Sequence, residues 1–222
     1  MKIQRLLLLG ICAIASASAA SASDVMDANS TADLLEQVAA AHVQNAAVEV
    51  DFTEERSSPM TRTPLRSSGT LSIHPDGRFR REVAGQSIMV NDGKNLWIYY
   101  PAFGEVEKYD ITGAGPASDV VAVISGGLQL SGIEKQFTVK AERRGKEILL
   151  AMVPKVGRLR RMIRDMQIEL DAEYRLQRLS WTGQRASTTS VTFSNERVID
   201  ADDPRFKFSP PANTRVVLPL GD

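Results

Sequence analysis

Residues 67–83 read SSGTLSIHPDGRFRREV. Gly69, Leu71 and Ile73 fall on one face of a segment with period two, the pattern of a half-buried strand. HPDG follows as a turn, in which Pro75 presets φ and Gly77 tolerates a positive φ. Phe79, Arg81 and Val83 then resume the alternation. Two alternating segments joined by a tight turn make an antiparallel hairpin, and the neighbouring sequence repeats the device. Upstream, AVEVDFTEE (47–55) alternates Val48, Val50 and Phe52 with polar residues. Downstream, SIMV leads to Asn91-Asp92-Gly93, a strong hairpin signal. Beyond it lies an aromatic strand, LWIYY, ending at Pro101, which cannot donate to a ladder and marks an edge or an exit. Alternation puts Trp97 and Tyr99 on one face and Tyr100 on the other.

Further strands are expected near Phe137–Ala141, Glu147–Val153, Met166–Leu170, Leu176–Trp181, Thr188–Phe193 and Phe206–Phe208. With no helix between them, they argue for a single antiparallel sheet. Helices are few. STADLLEQVAAAHVQN (30–45) carries Leu34, Leu35, Val38 and Ala41 at helical spacing, with Ser30 and Asp33 fitting a helix start. In GAGPASDVVAVISGG (113–127), Ser118 fits the cap of a short helix over 119–124. That helix is apolar on nearly every side through Val120, Val121, Val123 and Ile124. Its β-branched residues make it a poor isolated helix, so it must lie against another apolar surface.

The chain has 222 residues, with 27 basic and 27 acidic side chains. Lys2 and Arg5, the apolar run Leu6–Ala15 and the small residues to Ser23 form a secretory signal peptide over 1–23, with cleavage after Ala20, Ala22 or Ser23. The run is too short to span a bilayer stably. The single cysteine, Cys12, lies inside it, and Ile11 before it is not the small residue that lipoprotein cleavage requires. Residues 24–222 are therefore expected to be one soluble exported domain without disulfides, held by its core alone. Without Lys2 and Arg5 the balance is 25 basic against 27 acidic, net −2, which gives no reason to expect nucleic acid as a partner.

Catalytic chemistry finds few candidates. The two histidines are His42, on the helix stripe, and His74, before a turn. No G-x-S-x-G elbow, phosphate loop or H-E-x-x-H is present. Asp51, Glu54 and Glu55 read as solvated edge charge. Arg158, Arg160, Arg161 and Arg164, in GRLRRMIRD, read either as a solvated loop and strand edge or as a docking patch for an acidic partner or anionic lipid. No enzyme, metal or cofactor is expected.

DGKNLWIYYP resembles the D-G-K-x-L-W-x-Y-x-P stretch of the periplasmic outer-membrane lipoprotein carrier family, the LolA-like proteins. FTEE, SGTLSIHPDGRFRRE, VPK with MQIELDAEYRLQRLSW, TSVTFSNERVID and FKFSPPANTRVV are similar to further family stretches, in order, from about residue 30 to 218. The resemblance implies a mainly β fold with a few helices: one highly curved antiparallel sheet, an unclosed barrel, with helices as a lid in its mouth. It implies a monomeric periplasmic carrier that shields acyl chains between an inner-membrane ABC-type release complex and an outer-membrane acceptor lipoprotein. The expected cavity residues are Phe52, Leu71, Ile73, Phe79, Val90, Trp97, Tyr99, Met152, Ile168 and Trp181. The lid is assigned to Val120, Val121 and Ile124. Many family members have arginine before the hairpin proline, bonding lid backbone in the closed state. Here His74 stands, and a largely neutral imidazole cannot reproduce a five-donor cation. An alternative is a paralogue that binds a different lipid or a protein partner.

Overall fold

The computed structural model describes residues 23–42, 46–113, 115, 117–118, 121 and 132–218. Residues 1–22 of the expected signal peptide and the expected lid positions Val120 and Ile124 lie outside them.

Thirteen strands are seen among the described residues: β1 (Ser23–Val25), β2 (Ala47–Ser57), β3 (Leu65–Ile73), β4 (Phe79–Val83), β5 (Ser87–Asn91), β6 (Asn95–Tyr100), β7 (Glu105–Asp110), β8 (Phe137–Arg144), β9 (Glu147–Pro154), β10 (Ile163–Leu170), β11 (Leu176–Gly183), β12 (Thr188–Ile199) and β13 (Arg215–Val217). They form one sheet in the order β1-β8-β9-β10-β11-β12-β2-β3-β4-β5-β6-β7-β13. β1 and β13 are its edges, so the sheet is unclosed. Pairing is antiparallel except that β13 runs parallel to β7. The residue 67–83 hairpin forms as its alternation requires, with Leu71 opposite Arg81 and Ile73 opposite Phe79.

One face of the sheet holds the main core. Its buried residues include Val50, Phe52, Leu71, Phe79, Leu96, Leu150, Met152, Ile168 and Phe193. Helix α1 (Ala28–His42) closes part of this face with Leu34, Leu35 and Val38. It starts before Ser30, because the Asp27 carboxylate accepts the Ser30 amide at 2.8 Å and so acts as the cap. The helical residues Ala117 and Val121 also pack, half-buried, on this core.

The opposite face is covered near β4 to β7 by the C-terminal segment. Phe206 is fully buried there, beneath a 3-10 turn at Pro204–Phe206. The strand expected at Phe206–Phe208 is absent because Pro204 and Asp203, whose carboxylate accepts the Arg205 amide at 2.8 Å, fold the chain into that turn. Phe208 then stacks against Trp97 and Tyr99, with centroids 5.6 and 6.1 Å apart. On the same face Arg205 meets Glu49 and ties the segment to β2, beside the Arg197–Glu49 pair between β12 and β2. Pro101 marks a turn, not an exit: a short 3-10 stretch leads back into β7.

Candidate lipid-binding cavity

Between the two halves of the sheet the core is not filled. A cavity of about 320 Å³ is lined by β2, β3, β4, β5, β10, β11, β12 and Met162. β10 and β5 are six strand spacings apart, roughly 29 Å on a flat sheet. One cavity of this volume touches both, so the sheet is strongly curled around it. Ten lining residues are apolar or aromatic: Phe52, Leu71, Met89, Met162, Ile163, Met166, Leu179, Trp181, Val191 and Phe193. Register explains the set. Phe193 faces Phe52, Val191 faces Glu54, and Leu71 faces Arg81, which faces Met89. Gly69, opposite Phe52, allows the close approach of β3 and β4. A Cβ there would lie 1.8 Å from the Glu82 carbonyl oxygen and 3.1 Å from the Phe52 ring.

Three charged side chains share this wall: Glu54, Arg56 and Arg81. Glu54 is only 5% exposed. Arg81 Nη2 donates to Glu54 Oε2 at 2.9 Å, and Arg56 Nε meets Glu54 Oε1 at 2.5 Å. The Arg81 guanidinium also sits 4.4 Å from the Phe52 ring centroid, a cation–π contact. Burial pulls the Arg81 pKa below the ordinary arginine value, Glu54 opposes this, and Arg56 adds repulsion. Glu54 is therefore not the solvated edge charge expected of it. It shares the parity of Phe52 and points inward, whereas Asp51 and Glu55 have the opposite parity. Among the described residues no group of three His, Cys, Asp or Glu side chains is placed to hold a metal.

A family model described as outer membrane lipoprotein carrier protein LolA matches residues 44–209. The chain belongs to the LolA family. It is 29% identical over 187 residues to an outer-membrane lipoprotein carrier protein of Dechloromonas aromatica, covering 77% of this chain and 80% of that one. A carrier protein of Psychromonas ingrahamii is 28% identical over 102 residues, covering 42% and 49%. The crystal structure of an uncharacterized conserved protein from Thermus thermophilus superposes with a TM-score of 0.53 at 11% identity. It covers 85% of this chain and 99% of that one, and shows the shared fold alone.

Within this LolA fold the expected site residues separate into three groups. Phe52, Leu71 and Trp181 line the cavity. Ile73, Phe79, Met152 and Ile168 lie on the same face but pack in the core around it. Val90, Trp97 and Tyr99 are corrections: they lie on the opposite face. Val90 pairs with Arg80 and Trp97, while their neighbours Met89 and Ile98 pair with each other on the core side. Trp97 is further fixed by its Nε1 donating to Asp92 Oδ2 at 2.7 Å. His74 is neither fully exposed nor on the core face. It packs edge-on to Phe206 at 5.2 Å, with Asp76 and Arg78 at its ring nitrogens. The basic run is a short helix, α2 (Gly157–Met162), leading into β10. Arg160 Nε bonds the Pro154 carbonyl, Arg164 pairs with Asp165, and Arg161 is exposed; the Arg158 side chain lies outside the described residues.

Proposed function

We propose that this LolA-family chain is a periplasmic carrier that takes the acyl chains of a lipoprotein, or of another lipid, into the cavity between its sheet halves. The observation that carries this reading is an apolar hollow of about 320 Å³ left unfilled in the core of a domain of this family. Protein interiors are otherwise packed with few voids larger than a water. Each methylene removed from water is worth about 0.8 kcal/mol, so an acyl chain gains of order 10 kcal/mol from such a surface. Among the described residues no helix is long and apolar enough to cross a membrane. The segment around Ala117, Ser118 and Val121, continuing through Val120 and Ile124, is the proposed lid. The half-buried packing of Ala117 and Val121 on the core supports this reading. His74 is proposed to influence that lid.

The chain holds two tryptophans. Trp97→Phe removes the one on the far face and leaves Trp181 as a reporter in the cavity wall. Titrating that variant with a fatty acid or with detergent-released lipoprotein should give saturable Trp181 fluorescence changes, abolished by Leu179→Glu. No saturable change in either titration would end the carrier reading. α2 exposes Arg160 and Arg161 beside Met162, which lines the cavity and is 44% exposed. This placement favours α2, with Arg158 and Arg164, as the surface that meets an acidic partner or anionic lipid during transfer. Arg160→Glu with Arg161→Glu should slow transfer to anionic vesicles while leaving binding in solution intact.

A further inference from the structure

The apolar cavity wall carries a charge that hydrocarbon cargo does not need. Glu54 offers two carboxylate oxygens, and each is taken by a different guanidinium, Oε2 by Arg81 and Oε1 by Arg56. Two cations against one anion leave a local charge of +1, and among the described residues the cavity lining holds no other acidic side chain. Of the five N–H groups of Arg81, one donates to a described residue. Its side chain is 18% exposed, so water reaches the remaining donors poorly, and unpaired donors of a charged group in such a setting are costly. The cation–π contact with Phe52, 4.4 Å from the ring centroid, helps hold the guanidinium in place. A planar fork held in place matches a carboxylate or a phosphate, whose oxygens take two N–H groups at once.

Exposure along β2 also gives the site a direction. The Arg56 side chain is 59% exposed, that of Glu54 is 6% exposed, and Phe52 and Val50 are buried. The charged end is therefore the mouth and the aromatic end the interior. We propose that the cavity is built for an amphiphile with an acidic head, a carboxylate or phosphate, seated on Arg81 and Arg56 with its chain running inward along Phe52, Leu71 and Phe193. This rests on the lipid-binding reading and narrows it. The acidic head supplies the second anion that the two arginines lack. A neutral lipid of equal length leaves the remaining N–H groups of Arg81 without an anion at the cavity wall.

The test titrates the full chain carrying Trp97→Phe with three probes of equal length: hexadecanoate, hexadecyl phosphate and hexadecanol. Both acids are expected to bind roughly ten- to hundredfold more tightly than the alcohol, the scale of a charge-assisted hydrogen bond in a desolvated site. The tighter of the two acids identifies the head group. Arg81→Gln should reduce the acid-over-alcohol ratio to within about twofold, Arg81→Lys should retain part of it, and Arg56→Gln should lower it less, since Arg56 is largely solvated. If Arg81→Gln does not fold, Glu54→Gln with Arg81→Gln removes both charges of the buried pair and should show the same loss of preference. Binding of none of the probes defeats the lipid-binding reading itself. Equal binding of all three, or a preference that survives loss of Arg81, overturns the acidic-head inference and leaves that reading standing. An equal loss for acids and alcohol on replacing Arg81 also overturns it, since Arg81 then acts only on the shape of the wall.

Discussion

Replacing Glu54 by glutamine removes one negative charge from between two guanidinium groups. Glu54 is 5% exposed and the Arg81 side chain 18%, so their interaction is formed largely out of water. Breaking a buried pair by removing one partner costs about 3–5 kcal/mol, because the remaining charge stays desolvated. The Arg56 share is small, since that side chain is 59% exposed and an exposed ion pair contributes about 0–1 kcal/mol. The open side of the cavity lets some solvent relax around Arg81, which places the expected loss at about 2–4 kcal/mol. For a domain of this size each kcal/mol moves the midpoint by about 2–4 °C, so Glu54→Gln should melt roughly 4–16 °C below wild type. Circular dichroism melts and urea unfolding measure it. Glu54→Leu with Arg81→Met should recover most of the loss, and a double-mutant cycle isolates the pair. A Glu54→Gln protein within about 0.5 kcal/mol of wild type, with an unchanged urea slope, would show that the pair is water-screened and refute the account of the charged wall.

Three further outcomes follow from the packing. Gly69→Ala should destabilise by roughly 1–3 kcal/mol and reshape the cavity, because the new methyl meets the Glu82 carbonyl and the Phe52 ring; urea unfolding and fatty-acid affinity should both change. Phe206→Ala should cost about 3–5 kcal/mol and make the C-terminal segment the first site of limited proteolysis, as Phe206 is fully buried beneath it. Asp92 feels burial, which raises its pKa, but the Trp97 Nε1–H and the Asn95 and Lys94 amides outweigh it and hold the carboxyl below the ordinary 3.8. Its contribution to stability is therefore complete above about pH 4 and lost as pH falls through the lower folded value, so Asp92→Asn should flatten the acid limb of the stability profile followed by Trp97 fluorescence.

Most strands were legible because one face of each is apolar and the other polar, which period-two reading detects directly. β5 and β6 defeat that reading. Val90, Trp97 and Tyr99 are covered by the C-terminal segment, while Met89, Leu96 and Ile98 face the core, so both faces are apolar and alternation yields two sets without saying which is inside. Deciding between them requires the register across Val83 and Ser87, which pairing sets and composition does not. Arg81 was legible as a member of an apolar face, since it alternates with Phe79 and Val83. Glu54 shares the parity of Phe52, but its acidic neighbours disguised it as surface charge. The three-residue edge strands β1 and β13 hold too few residues to show a period. β7 was missed because Pro101 looked like an ending.

Met89 on β5, Met162 at the end of α2 and Met166 on β10 all line the cavity, and Met162 is 44% exposed. Thioethers are soft and unbranched, so the wall at these positions reshapes easily around chains of different bend. Of the three, Met162 is the one open to oxidants. Conversion of Met162 to its sulfoxide would place a polar S=O group at the entrance of an otherwise greasy hollow. With the cavity as the proposed lipid site, occupancy should therefore fall on peroxide treatment and return with sulfoxide reductase.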